Sequence, residues 1–131
     1  MTRILTAAVL ATLALPATAQ DATEGQRLFL THCATCHGLD ATGGGPMAPS
    51  LILQPPDLTG LTERNDGTFP VARIVTRIDG RDPLTSHGSP MPVYGDFFEG
   101  NDTAVKSEAG QPILTSRPIV DLLAWLAEVQ R

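Results

Sequence analysis

The stretch EGQRLFLTHCATCHG, residues 24–38, decides the fold, because an amphipathic segment runs there into a closely spaced pair of cysteines. Cys33 and Cys36 are the only cysteines of the chain, and His37 follows the second directly. Apolar residues recur at helical spacing ahead of the pair, which predicts a helix that begins near Asp21. Positions i, i+3 and i+4 of a helical turn share a face, so Cys33, Cys36 and His37 are expected to point the same way.

Four kinds of site contain two cysteines at this spacing. A disulfide between Cys33 and Cys36 would close a very small loop, for which cross-linking gains little stability. A thioredoxin-like dithiol needs a βαβ context, which the sequence does not indicate. A structural zinc site needs four ligands, so His32, His37 and His87 would have to supply the rest, and two of these flank the pair at unfavourable angles. The fourth kind, covalent haem attachment, has CxxCH as its specific signature, and we favour it.

The first nineteen residues have the three parts of a secretory signal. Arg3 is the positive end, residues 4–15 are an apolar run, and residues 17–19, Ala-Thr-Ala, form a small-residue cleavage site. The run is shorter than the about 20 apolar residues of a membrane span. We therefore expect residues 1–19 to be removed by cleavage after Ala19, the protein to be periplasmic, and no stable membrane insertion. Removing 19 of the 131 residues leaves 112, one small domain over 20–131.

The charge balance bears on the class of partner. The whole chain has a net charge of −5. Arg3 is the only charged residue of the leader, so the remaining domain has 8 basic and 14 acidic side chains, a net charge of −6. Nucleic-acid-binding domains normally have the opposite sign, and we expect no nucleic-acid partner.

Glycine and proline dominate residues 38–60, with GGGP at 43–46 and QPPD at 54–57, and this composition predicts a long loop. So long a loop is unusual in a compact domain unless it wraps something. A second helix is expected after it, with Asp66 or Thr68 as cap, Pro70 in the first turn and Gly80 at its end. Its apolar residues fall at helical spacing: Val71, Ile74, Val75 and Ile78.

The second half of the chain predicts a short helix at Phe97 and Phe98 and a longer one over residues 116–131, capped by Ser116. Between them, residues 99–111 are polar and punctuated by glycine, and we expect a surface insertion. No convincing β alternation and no internal repeat are found. The expected architecture is thus all-α, with three or four short helices and long loops around something large and flat.

On these motifs the chain resembles the class I c-type cytochromes, small exported electron carriers with one covalent haem. The likeness covers nearly the whole mature chain and rests on CATCH at 33–37, MPVYGD at 91–96 and helices at both ends. It implies a cytochrome c fold wrapped around one haem c, with Cys33 and Cys36 as thioether tethers. The family's terminal helices cross through a glycine and aromatics, roles that Gly25, Phe29 and Trp125 match.

The resemblance also implies a set of iron ligands. His37 is the expected fifth ligand and Met91 the sixth, with the Pro46 carbonyl receiving the Nδ1 proton of the histidine. His/Met ligation is the usual arrangement for electron transfer. Met47 would then lie on the histidine side, as loop packing. His87 is the competing ligand, since it occupies the same loop as Met91.

The function implied is one-electron transfer with redox protein partners that dock transiently. An alternative is a small cytochrome subunit bound to a periplasmic dehydrogenase or oxidase, with residues 99–111 as an interface. An enzyme or gas sensor with an open iron site is a third possibility, should Met91 not bind the iron. A local basic group could hold haem propionates or form a docking patch, or could be a solvated helix face: Arg64, Arg73, Arg77 and Arg81.

Overall fold

The structure is a computed structural model that describes residues 20–81, 91–100 and 102–131. The predicted leader, residues 1–19, and the competing ligand His87 lie outside these ranges. The helices and strands are α1 (Ala22–His32), α2 (Ala34–His37), α3 (Val71–Asp79), β1 (Asp102–Lys106), β2 (Pro112–Ser116) and α4 (Arg117–Glu128). Short 3₁₀ turns lie at Ala48–Ser50, Leu58–Gly60, Glu63–Asn65 and Asp96–Phe98. None of the helices in the described ranges has the length and apolarity to cross a bilayer.

The packing of α1 on α4 forms the centre of the core. Gly25 lies so close to α4 that a Cβ placed on it would lie 1.9 Å from the Asp121 carbonyl oxygen. One turn later, the rings of Phe29 and Trp125 pack at an angle of 37° with centroids 4.4 Å apart, and both side chains are buried. The two terminal helices therefore meet through the three residues that the sequence singled out.

The start of α1 is fixed by hydrogen bonds to carboxylates. The Asp21 side chain accepts hydrogen bonds from the backbone N–H groups of Thr23 and Glu24, as an N-cap residue does. The backbone N–H of Asp21 itself donates to Oδ1 of Asp121 at 2.9 Å. Asp121 is buried, and its charge is balanced by the guanidinium of Arg117 at 3.0 Å. This buried carboxylate thus joins the beginning of the domain to its last helix.

Helix α3 ends where the sequence predicted, at Gly80, whose φ of +83° gives the left-handed C-cap. The predicted N-cap was wrong, because the cap position is Pro70, whose side chain accepts no hydrogen bond. Instead, the N–H of Ala72 donates to Oε2 of Glu108 at 3.0 Å, from 36 residues further along the chain. A carboxylate at this end also interacts favourably with the helix dipole.

The all-α prediction is confirmed for most of the domain, but the expectation that the chain contains no strands was wrong. β1 and β2 pair antiparallel, in a register that runs from Asp102 opposite Ser116 to Lys106 opposite Pro112. Val105 is the only buried residue of β1, so the alternation that marks a strand is weak. Because Val105 belongs to the core cluster, residues 99–111 are partly a covering of the core rather than a detached insertion.

The long loop is held by the end of the chain. Residues 38–60 contain only turns and two short 3₁₀ segments, as predicted. The side chain of Gln130 accepts from the Thr62 N–H at 2.9 Å and donates to the Leu58 carbonyl at 2.8 Å. The N–H of Arg131 donates to the Thr59 carbonyl at 2.9 Å. These bonds fix the distal part of the loop to the C-terminal end of α4.

Replacing Gly25 by alanine tests the contact between the terminal helices. The new methyl group would overlap the Asp121 carbonyl, so we expect the free energy of unfolding to fall by about 1–3 kcal/mol. Gly44→Ala is the matched control, because no atom lies within 4 Å of a Cβ at that position. The measurement is denaturant unfolding of both variants. Equal midpoints for Gly25→Ala and Gly44→Ala would contradict the close helix contact.

Glu108→Ala tests the cap that reaches α3 from the hairpin. Loss of the acceptor for the Ala72 N–H should cost about 0.5–1 kcal/mol of stability. Glu108→Gln keeps an amide oxygen as acceptor and should recover part of that loss. Thermal unfolding at low salt compares the three proteins, and identical midpoints would count against a role for Glu108 in capping.

Candidate functional site

The attachment motif occupies a separate turn at the end of α1. The regular helix breaks at Cys33, with φ −115° and ψ −32°, and a further turn, α2, follows. The N–H groups of Cys36 and His37 both donate to the Cys33 carbonyl, at 3.1 and 2.9 Å. Gly38, with φ +80°, ends the turn. The turn holds three residues together: the half-buried, free thiols of Cys33 and Cys36 and the buried imidazole of His37.

The environment of the thiols argues against a redox-active dithiol. Burial first, and the neighbouring Cys36 second, raise the pKa of Cys33 to about 11. A reactive thiol requires a lowered pKa, because the thiolate is the nucleophile. The described part of the chain also contains no group of three or more His, Cys, Asp or Glu side chains arranged to hold a metal ion.

The imidazole of His37 suits an iron ligand. It is only 8% exposed, and burial is the main cause that lowers its pKa, which favours the neutral form that binds metals. Its Nδ1 is buried without a partner at ordinary hydrogen-bond geometry. The backbone of Pro56 acts in the opposite direction and raises the pKa. Since proline has no N–H, the group concerned is the Pro56 carbonyl.

Pro56 was missed by the sequence interpretation, which gave the role of acceptor to Pro46. The assignment of Pro46 stays a prediction. The QPPD segment at 54–57 was noted only as loop composition, and no spacing rule relates it to His37. The structure brings the two regions together through Gly43, since a Cβ there would lie 2.2 Å from the Pro55 carbonyl oxygen.

The glycines at 43–45 let the loop close over the end of α2. A Cβ on Gly45 would lie 2.4 Å from the Thr35 carbonyl oxygen. The last carbonyls of a helix have no hydrogen-bond donor within the helix. Here the N–H groups of three loop residues are the donors. The N–H groups of Gly43, Gly45 and Met47 donate to the carbonyls of residues 37, 36 and 35, at 2.8, 3.1 and 3.0 Å. The Met47 side chain is 45% exposed.

Met91 begins the next described segment of the chain. It is half-buried and packs against the hydrophobic core. Its role as iron ligand stays a prediction, and its neighbour Pro90 lies outside the described ranges. Three aromatic residues of the same segment pack around His32 of α1. This set is defined here as the His32 cluster: His32, Tyr94, Phe97 and Phe98. The His32 ring packs within this cluster.

The four arginines grouped by the sequence do not form one free patch. The guanidinium of Arg64 donates to the backbone carbonyl of Asp57. Arg81 pairs with Asp79 and also donates to the Leu114 carbonyl of β2 at 2.8 Å. Arg73 is exposed on α3. Two of the four thus serve local structure, in addition to any role toward a partner.

Comparison with known proteins identifies the family. The family model named Cytochrome c matches residues 22–130, nearly the whole of the described domain. No curated protein and no solved structure matches the chain. The family match confirms the resemblance to small c-type cytochromes and the expected fold, and with it haem-based electron transfer by a covalently bound haem c. The chain belongs to the cytochrome c family.

Proposed function

We propose that the protein is a periplasmic one-electron carrier with a single haem c, tethered by Cys33 and Cys36 and ligated by His37 and Met91. The observation that carries the proposal is the α2 turn, which holds both half-buried thiols and the buried imidazole of His37 close together. The iron of the haem supplies the centre that gains and loses an electron. Cytochromes c are in general electron-transfer proteins rather than enzymes.

The residues around the turn orient and shield the ligand. Phe29 lies between Trp125 and His37, with ring centroids 4.4 and 6.5 Å away, so the core helices limit the movement of the imidazole. The Pro56 carbonyl interacts with the imidazole and raises its pKa, and a hydrogen bond from the second ring nitrogen to such a carbonyl fixes the orientation of a ligating histidine and raises its basicity. Burial excludes water from the histidine, which is one of the means by which proteins tune a haem.

A methionine as sixth ligand would close the second axial position and raise the potential relative to a second histidine. Met91 is half-buried and packs on the core, and Pro92 after it restricts the backbone. With both axial positions filled by protein side chains, a substrate has no place on the iron. Electron transfer to transiently docked partners is then the remaining function.

The subunit alternative is favoured by one surface. Leu114 of β2 is 70% exposed, and it lies opposite the exposed Ala104 of β1 on the outer face of the hairpin. An exposed leucine on a two-stranded sheet would suit an apolar contact with a larger protein.

Export rests on residues 1–19, whose charged end, apolar run and small-residue site are those of a cleaved signal.

Met91→Ala tests the sixth ligand. We expect the sulfur-to-iron charge-transfer band of the oxidised protein to disappear, and the reduced variant to bind carbon monoxide rapidly, because the axial position opens. Met47→Ala is the matched control and should keep the band, since the Met47 side chain is half-exposed on the loop over α2. An unchanged band in Met91→Ala, or rapid carbon monoxide binding by the wild type, would exclude Met91 as a stable ligand.

Gel filtration of native periplasmic extract, followed by haem staining, separates a free carrier from a subunit. We expect haem at the size of the single domain, and none in the spheroplast fraction. Haem at a much larger size would support the subunit alternative. In that case Leu114→Ser should release the small form if the hairpin is the interface. Haem confined to the spheroplasts would contradict export.

A further inference from the structure

Residues 91–98 lie across the ends of two helices, and Tyr94 contacts both. Its backbone N–H donates to the Ile78 carbonyl of α3 at 2.7 Å. Its phenolic Oη donates to the His32 carbonyl, at the end of α1, at 2.9 Å. One residue thus bridges α3 and the residue directly before the first cysteine of the attachment motif.

The His32 carbonyl is available because of the helix break. In a continuous helix it would accept from the N–H of Cys36. Here the Cys36 N–H donates to the Cys33 carbonyl instead. The phenol of Tyr94 is the donor to the His32 carbonyl in its place. Leaving a buried or half-buried carbonyl without a hydrogen bond costs free energy. Because breaking this bond carries that cost, the bond holds the phenol in a defined position.

Both neighbours of Tyr94 contact the end of α3, Gly95 through its backbone and Val93 through its side chain. A Cβ on Gly95 would lie 2.4 Å from the Asp79 carbonyl oxygen, and a Cβ on Gly80 would lie 2.3 Å from Cγ1 of Val93. The Tyr94 ring stacks on Phe98, with centroids 5.5 Å apart and planes at 23°. The hydroxyl, the ring and the backbone of Tyr94 are therefore each held by a different neighbour.

From this arrangement we propose that Tyr94 is a positioning residue that ties the Met91 segment to the end of α1, directly before the attachment motif, and limits how often Met91 leaves the iron. The inference rests on the proposed His37 and Met91 ligation. Three residues span at most about 10 Å of extended chain, so a fixed Tyr94 confines Met91 to a small volume. Without the bond from the phenol to His32, the segment has one anchor fewer and the detached state is more populated.

The test is an imidazole titration of the oxidised holoprotein. Imidazole binds iron only while Met91 is detached, so its apparent affinity is proportional to the detached fraction. Losing one hydrogen bond should raise that fraction about threefold to tenfold. We therefore expect Tyr94→Phe to bind imidazole about threefold to tenfold more tightly than wild type. Tyr94→Leu, which also loses the ring contact with Phe98, should bind more tightly still.

Ser107→Ala is the matched control, because it removes one hydroxyl hydrogen bond of the same length, 2.9 Å to the Gln111 N–H, in the turn of the hairpin. It should lower thermal stability without changing imidazole affinity. Equal affinity in wild type and both Tyr94 variants would overturn the proposal. The proposal would also be overturned if Ser107→Ala, at the same loss of stability as Tyr94→Phe, bound imidazole as tightly as Tyr94→Phe does. The tighter binding would then follow from lower stability of the whole domain.

Met91→Ala separates this proposal from the ligation on which it rests. If Met91→Ala leaves the charge-transfer band and imidazole affinity unchanged, the ligation itself is wrong. If Met91→Ala abolishes the band while the Tyr94 variants behave as wild type, only the role of Tyr94 is wrong. Loss of the band in Met91→Ala together with tighter imidazole binding by both Tyr94 variants supports the proposal.

Discussion

The close approach of α1 to α4 is the constraint on which the rest of the domain depends. It requires a residue without a side chain at Gly25, since the Asp121 carbonyl occupies the space of a Cβ. Once the backbones meet there, the rings of Phe29 and Trp125 pack against each other one turn later. The same ring of Phe29 lies beside His37, so the helix contact and the position of the imidazole are set by one piece of packing.

The site is built by satisfying carbonyls at helix ends. The end of α2 is covered by amides of the glycine loop, and the end of α1 by the phenol of Tyr94. Backbone polar groups that leave water must find partners. The loop is therefore held in part by the end of α2, and the methionine segment by the ends of α1 and α3. Loop residues reach a defined position here without any regular secondary structure of their own.

The sequence predicts the features that depend on near neighbours. Examples are the turn of Cys33, Cys36 and His37, the end of α3 at Gly80, and the apolar face that α3 buries. It does not predict Glu108 as the cap of α3 or Pro56 at His37, because both partners come from distant loops whose composition does not indicate these contacts. The hairpin was missed for a related reason: a single buried residue, Val105, leaves too little alternation to mark β1 as a strand.

Before haem is attached, the high pKa of the Cys33 thiol, about 11, has a consequence for its reactivity. At neutral pH, roughly one such thiol in ten thousand is ionised, and disulfide exchange proceeds through the thiolate. The folded turn therefore makes Cys33 a poor nucleophile toward foreign disulfides as well as toward Cys36. Burial of the motif therefore keeps this thiol largely in its unreactive, protonated form until it is joined to haem.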